Sequence, residues 1–544
     1  MSNPDPAAAT TRHLIVLILL LTLWHLGLAR LLPVTQDEAY YFDWARTLSW
    51  GYFDHPPGVA LLGVTGLLAP GSALAARLGT VIAGTLTLIV LAAFYRRCGL
   101  RQGSAPLVAL VLVATTAPGL AGGILTTPDT ALALCWALGL HEALAALQGD
   151  RRRWLTAGIA TGLGLMAKYH MVLIGPVFLW ALVRSDPKAL RTPWPYLGGL
   201  LALLAFSPHL FWSADNDWVT MRFQFSHGFA TESGPLVTSP LAEAIRVGAV
   251  TPTEAPLTPS GRILGVLTYL GTQIALWGFL LVPIAAALFL RYRPATTAPE
   301  PESMARDLPP AAPRYPDIDT KALPLLRAGA LFPLAFFAAV AALSAPEANW
   351  PIVYLLCAAP LLAAALRPVR TWVWVAAGAN VALVTVYAVH AATAVLPFGE
   401  GTDRILRETH GYPELALRVQ DLDGPIFAGS YQIAAMLRFY LPDTPVTQWP
   451  GISRPSEYLR GVIVPTPPLA SLTDAGGFWL VQRRSNPAEI PGFTPREIGV
   501  LIDCKGAGLV ETTPGSPQEA NPPCRRPLHL WQLVRYGLAT DPRP

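Results

Sequence analysis

The chain has 544 residues, of which 52% are hydrophobic and only 14% charged, with a net charge of +4. That charged share is about half the usual one, too little to cover a soluble protein of this size. Intrinsic disorder, a collagen-like fibre and a disulfide-stapled secreted module are thereby excluded, and a polytopic membrane protein remains.

A span needs about 20 mostly apolar residues to cross roughly 30 Å of hydrocarbon. Eleven stretches are expected to do so: 12–33, 73–95, 104–125, 128–147, 154–168, 170–184, 195–212, 261–290, 325–343, 350–366 and 371–396. The apolar run 58–70 is too short and is expected to be interfacial or re-entrant. The first stretch lacks a small-residue cleavage site after Leu31-Leu32-Pro33 and is expected to remain as a span.

Basic residues set the orientation. With a cytoplasmic N-terminus, Arg96, Arg97 and Arg101, then Arg151 to Arg153, then Arg184, Lys188 and Arg191, then Arg291 through Arg327, then Arg367 and Arg370 all fall on the inner side. These short clusters suit topology signals rather than a nucleic-acid face, so no nucleic-acid partner is expected. The odd span number puts the C-terminus outside. Residues 1–396 are expected to form the transmembrane domain, with a Pro/Ala-rich cytoplasmic linker at 292–324, and residues 397–544 an outer domain. Strand-like runs such as Gly461–Val464 and Gly477–Gln482 predict an α/β fold there. Cys504 and Cys524, the two cysteines of that tail, pair if the compartment is oxidising.

The polar residues that break this pattern gather on the outer face. The first outer loop holds Asp37, Glu38, Asp43, Asp54 and His55 among aromatic residues. A carboxylate beside apolar surface has a raised pKa and suits a general base; the plainer alternative is a helix N-cap at Gln36 or Asp37. Thr127-Pro128-Asp129 fits a helix start, with Asp129 favoured near the positive end of the helix. Lys168-Tyr169-His170 interrupts an apolar run, and an ionisable residue at membrane depth needs a partner. For Lys168 a lipid phosphate, Asp129 and the interface itself are all open. His209, in Ser207–Trp212, and Asn349, Trp350 and Tyr354, in Glu347–Tyr354, complete the outward set. Such a mixture of aromatic platforms and hydrogen-bonding groups suits sugars and prenyl chains. No metal-type Cys/His spacing and no dinucleotide fingerprint occurs; a divalent metal requirement stays open.

The run DEAYYFDWARTLSWGYFDHPP (Asp37–Pro57) resembles the first periplasmic loop of bacterial GT-C glycosyltransferases, in the group that includes protein O-mannosyltransferases, the aminoarabinose transferase of lipid A and rhizobial galacturonosyltransferases. TPDTALAL (Thr127–Leu134), GLGLMAKYHMVL (Gly162–Leu173), SPHLFWSADNDWVT (Ser207–Thr220) and EANWPIVY (Glu347–Tyr354) match in the same order. The resemblance implies an all-α polytopic GT-C bundle of about eleven transmembrane helices with a C-terminal periplasmic α/β domain, in a bacterial inner membrane. It implies a sugar carried on polyprenyl phosphate, moved with inversion to an envelope lipid, glycan or protein. Asp37 matches the acidic loop residue and takes the general-base role, assisted by Glu38. Lys168 is expected to hold the donor phosphate, and Asp54, His55 and Asp129 to order the cavity, with Tyr169, His209, Asn349, Trp350 and Tyr354 binding donor or acceptor. A transporter or flippase is the alternative; it would favour paired halves and helices broken at midplane.

Overall fold

The computed structural model describes residues 6–101, 103–229, 239–245, 258–292, 318–398, 403–483, 486–505, 508–512 and 527–539. Residues 293–317 of the expected linker lie outside the described residues, as does Cys524.

The chain is an integral membrane protein, mostly helical. Its first part runs α1 (Pro6–Leu31), α2 (Gln36–Ala45), α3 (Gly58–Gly63), α4 (Ala73–Arg97), α5 (Ala105–Ala114), α6 (Ala117–Ala121), α7 (Pro128–Leu147), α8 (Trp154–Ala167), α9 (Ile174–Ser185), α10 (Trp194–Asp215) and α11 (Val219–Phe229). Then come α12 (Pro240–Ala244), α13 (Pro259–Ala275), α14 (Leu281–Tyr292), α15 (Ala322–Ala341), α16 (Leu355–Ala365) and α17 (Arg370–Thr393). Among the described residues six helices are long and apolar enough to cross a membrane, or seven if the bent pair α13–α14 is one span. The other expected spans are shorter apolar helices, including Ala105–Ala114, Tyr169–Ser185 and Ile352–Ala365. Leu19, Leu20 and Leu23 on α1 and Leu200, Leu203 and Leu204 on α10 point outward and are exposed. Water would penalise that surface, whereas lipid does not.

Small residues let the helices approach. On α8, a Cβ at Gly158 would lie 1.9 Å from the Gly198 carbonyl oxygen of α10, and one at Gly162 would lie 2.6 Å from that of Ala202. This is the small-residue packing expected where no hydrophobic force separates helix from lipid.

The stretch 261–290, expected as one span, is instead bent by 92° between α13 and α14. Gly278 turns the chain at φ +57°. The backbone groups freed there are bonded by one buried side chain: Asn380 of α17 accepts from Phe279 N–H at 2.9 Å and donates to the carbonyls of Trp277 at 3.0 Å and Thr115 at 2.8 Å. Non-helical backbone survives at membrane depth only when protein satisfies it in this way.

The C-terminal part is α18 (Arg404–Thr409), α19 (Tyr412–Gln420), β1 (Ile426–Ala428), α20 (Tyr431–Tyr440), β2 (Thr447–Gln448), α21 (Leu469–Asp474), β3 (Phe478–Gln482), β4 (Phe493–Cys504), β5 (Gly508–Thr512) and β6 (Pro527–Leu538). The six strands form one mixed sheet in the order β2-β1-β3-β6-β4-β5, parallel at β1 and antiparallel from β3 onward. Gly461–Val464, expected as a strand, forms turns and bends, because Gly461 takes φ +70° directly after a short 3-10 turn. Cys504 is disulfide-bonded.

This C-terminal part and the loop between α1 and α4 share one apolar core. Tyr40, Phe42, Trp44 and Tyr52 pack in the same cluster as Tyr412, Ile433, Met436, Leu437, Phe439 and Tyr458.

The helix contact predicts a mutational asymmetry. Gly158→Val drives a side chain into the α10 backbone and should cost about 1–3 kcal/mol, as overpacking does. Gly175→Val on α9, where a Cβ meets nothing within 4 Å, should cost far less. Denaturation of the two purified variants in detergent checks this; equal losses would mean that α8 and α10 are not in contact.

Candidate functional site

The site begins with the way α2 is held. Thr35 caps the helix, and Thr35 and Glu38 form a reciprocal capping box. The N-cap is thus Thr35, not Gln36 or Asp37. Glu38 is buried, and its carboxylate is fully occupied. It accepts from Arg77 Nε at 2.7 Å and Nη2 at 2.6 Å, from Thr126 N–H at 3.0 Å, and from Thr35 N–H and Oγ1 at 3.1 and 3.0 Å. Arg77, on α4, also donates to the carbonyls of Ala29, Leu32 and Pro33 at the end of α1. The guanidinium and these hydrogen bonds outweigh burial and hold the Glu38 carboxyl below the usual range. Expected beside Asp37 as its assistant, Glu38 is instead the anchor of α2.

Asp37, one residue earlier, points elsewhere and stays open to water. Its Oδ1 accepts from Tyr431 of α20 at 3.2 Å. Protein encloses its flanks, and that loss of hydration pushes its pKa up; the nearby Arg454 guanidinium pulls part of the way back. Asp54 is buried beneath it. Tyr40 donates to Asp54 Oδ2 at 2.6 Å, and Arg454 Nη1 donates to Oδ1 at 2.7 Å. Burial, with the Asp54 charge next for Tyr40 and the Asp37 charge next for Tyr41, raises both phenols well above their ordinary range, so both remain donors. His55 lies beside the Tyr41 ring, with centroids 6.0 Å apart. Gln224 of α11 donates to the Asp54 carbonyl at 2.6 Å, with its Nε2 3.5 Å from His55 Nδ1.

Two further groups adjoin. Lys168 takes Asp129 as its partner at 2.8 Å, and Asn349 donates to the other Asp129 oxygen at 2.6 Å. Asp129 was one of the partners open to Lys168 from sequence, and the pair is buried. His209 Nδ1 donates to the Trp50 carbonyl at 2.7 Å, leaving Nε2 to accept from Tyr169 at 2.5 Å. Trp350 packs on His170 and Phe337. Tyr354, expected among the binding residues, lies in the core, accepting from Trp277 Nε1 at 3.1 Å and donating to the Gln273 carbonyl.

Beside these groups runs an apolar groove of about 350 Å³, lined by Phe206, Met221, Phe225, Phe336, Phe337 and Val340 with Tyr169, His170, Gln224 and Trp350. Gln224 joins it to Asp54 and His55, and His170 is within electrostatic reach of Lys168 and His55. One end of the groove is therefore polar, with Gln224, Tyr169 and His170, and the rest apolar. Among the described residues no cluster of three or more His, Cys, Asp or Glu side chains is placed to hold a metal ion.

The sequence missed Arg454, Tyr431 and Arg77. Arg77 is a lone arginine inside an apolar run, a signal that an intramembrane charge carries a role. The other two lie about 400 residues from their partners.

These features define the class: a helical membrane bundle in which the loop between α1 and α4 packs against a C-terminal α/β part. Residues 54–212 match the family model of dolichyl-phosphate-mannose-protein mannosyltransferase. The fold is similar to that of ArnT from Cupriavidus metallidurans. In its apo state the likeness has a TM-score of 0.56 at 15% identity, covering 88% of this chain and 93% of that one. In the form bound to undecaprenyl phosphate the TM-score is 0.58 at 16% identity, covering 97% and 99%. No curated protein matches the sequence.

The anchor predicts a stability effect separate from chemistry. Arg77→Met leaves Glu38 buried and uncompensated, which should cost about 3–5 kcal/mol. The double variant Glu38→Met/Arg77→Met should recover much of that loss. Unfolding of the purified single and double variants checks it; additive losses would mean the pair does not interact.

Proposed function

We propose that this protein is a membrane glycosyltransferase that moves a sugar from a polyprenyl-phosphate donor to a hydroxyl or phosphate of an envelope lipid, glycan or protein. The observation that carries this reading is the Asp37 carboxyl, open to water yet pushed up by burial, in a cluster with Tyr431, Arg454 and Asp54 that Gln224 joins to an apolar groove. A prenyl chain suits the groove, and a sugar phosphate suits the polar end. The fold's likeness to a protein whose structure was solved with undecaprenyl phosphate supports the donor class.

In this reading Asp37 accepts the proton of the acceptor as its oxygen attacks the anomeric carbon. The bond from that carbon to the lipid phosphate breaks, and the phosphate leaves with the electron pair. Asp54 is tied to Arg454 and Tyr40 and is not a free nucleophile. One displacement on one face therefore gives inversion, and Asp54 orders the cavity. Lys168 and Asn349 fix Asp129, and Tyr169, bonded to His209, lines the groove. Residues 1–396 act as the transfer domain, with eleven crossings and a cytoplasmic N-terminus in a bacterial inner membrane, and residues 397–544 as a periplasmic domain.

Asp37→Asn keeps the volume and removes the base. Transfer from a polyprenyl-phosphate-linked sugar should fall about 10²–10⁴-fold, with membrane insertion unchanged. A base works only when deprotonated, and burial raises the Asp37 pKa. The wild-type rate should therefore fall as pH drops through a midpoint above the usual aspartate range, and the residual Asp37→Asn rate should lack that limb. A rate-against-pH series on both proteins checks this; a normal Asp37→Asn rate would remove the base assignment.

A further inference from the structure

Transfer from a lipid phosphate needs a cation where the leaving oxygen gains charge, because a preorganised donor there lowers the barrier. Lys168 is poorly suited, being 4% exposed and held by Asp129. Arg454 is better placed, and it comes from the C-terminal part. Its side chain keeps 30% of its exposure, against 5% for that of Lys168. The guanidinium centre lies 4.2 Å from the Tyr431 ring centroid and 5.2 Å from that of Phe223. Nη1 donates to Asp54 Oδ1 and to the Pro455 carbonyl at 3.1 Å, which uses two of the five N–H donors of an arginine. A planar fork held by two rings and a carboxylate is already oriented, as phosphate recognition requires. Phe223 directly precedes Gln224, which lines the groove. Tyr431 also bonds Asp37, so the same ring stands between the base and the guanidinium.

We propose that Arg454 binds the phosphate of the lipid-linked substrate, so that the C-terminal part completes the transfer site instead of merely capping the bundle. This rests on the glycosyltransferase reading and names the group that meets its donor. Asp54 then has a second purpose: it aims the guanidinium, while the phosphate takes donors that Asp54 leaves.

The test uses the full chain in nanodiscs with two probes that share a tail, undecaprenyl phosphate and undecaprenol. Wild-type protein should bind the phosphate at least about tenfold more tightly, since hydrogen bonds to a charged group are the strong ones. Arg454→Met should lose most of that preference and keep undecaprenol binding, which also reports that the groove is folded. Arg454→Lys should keep part of it. In wild-type protein, undecaprenyl phosphate should slow phenylglyoxal modification of Arg454, read by peptide mass mapping, whereas undecaprenol and millimolar inorganic phosphate should not. This second measurement decides the matter if Arg454→Met does not fold. An unchanged phosphate preference in Arg454→Met, or no protection of Arg454, overturns the proposal while leaving the glycosyltransferase reading intact. Equal protection by inorganic phosphate overturns the lipid source. Wild-type protein that does not distinguish the two lipids overturns the donor reading itself.

Discussion

The candidate site depends on where α2 is held, and the buried Glu38–Arg77 pair holds it. Arg77 binds Glu38 through Nε and Nη2, and reaches the carbonyls of Ala29 and Leu32 through Nη1 and that of Pro33 through Nη2. Helix ends leave such carbonyls without partners, so one side chain both closes α1 and seats α2. Successive residues on a helix point about 100° apart. With Glu38 fixed inward, Asp37 is turned toward the C-terminal part, and two adjacent carboxylates acquire opposite environments. Hydrogen bonds and a guanidinium surround one; the other is exposed and accepts a hydrogen bond from Tyr431.

The far flank of α2 is tied just as firmly. Arg438 binds Asp43 at 2.5 and 3.1 Å, and Tyr458 donates to the same carboxylate at 2.9 Å. Glu457, pushed up to about 7 by burial, accepts from the Phe53 N–H at 2.5 Å. Arg460 lies over the Trp212 ring and donates to Asn216, linking α10 to the same assembly. Removing one partner of the Arg438–Asp43 pair would strand a buried charge. The loop is thus gripped between the bundle and the sheet part, with Asp37 and Asp54 in the seam. A carboxylate in such a seam can be dehydrated enough to hold a proton and still be reached by a substrate.

Much of this was legible in the sequence, for identifiable reasons. Apolar length marks the helices of the bundle, and each expected stretch contains helix. The 92° bend was not legible, because its cause is Asn380, about a hundred residues from Gly278 in the chain. The different fates of Asp37 and Glu38 were half legible: Thr35-x-x-Glu38 is a capping box signature, and it marks Glu38 as structural before any coordinate is known. Asp129 was open as the partner of Lys168 because charges at membrane depth pair with one another. Arg454, Tyr431 and Arg438 were invisible, since their sequence neighbourhood reads as an ordinary α/β surface and their partners lie about 400 residues away. Tyr354 misled because its outward-facing neighbours suggested the cavity, while Trp277 and Gln273 claimed its hydroxyl.

The most direct measurement is a cryo-electron microscopy structure of the full-length protein in nanodiscs with undecaprenyl phosphate. The account predicts a tail between Tyr169, Phe206, Phe225 and Phe337, with the phosphate among His55, Gln224 and Arg454 and within reach of the Asp37 cavity. A lipid bound elsewhere on the bundle, with that groove empty and Asp37 facing only protein, would contradict it.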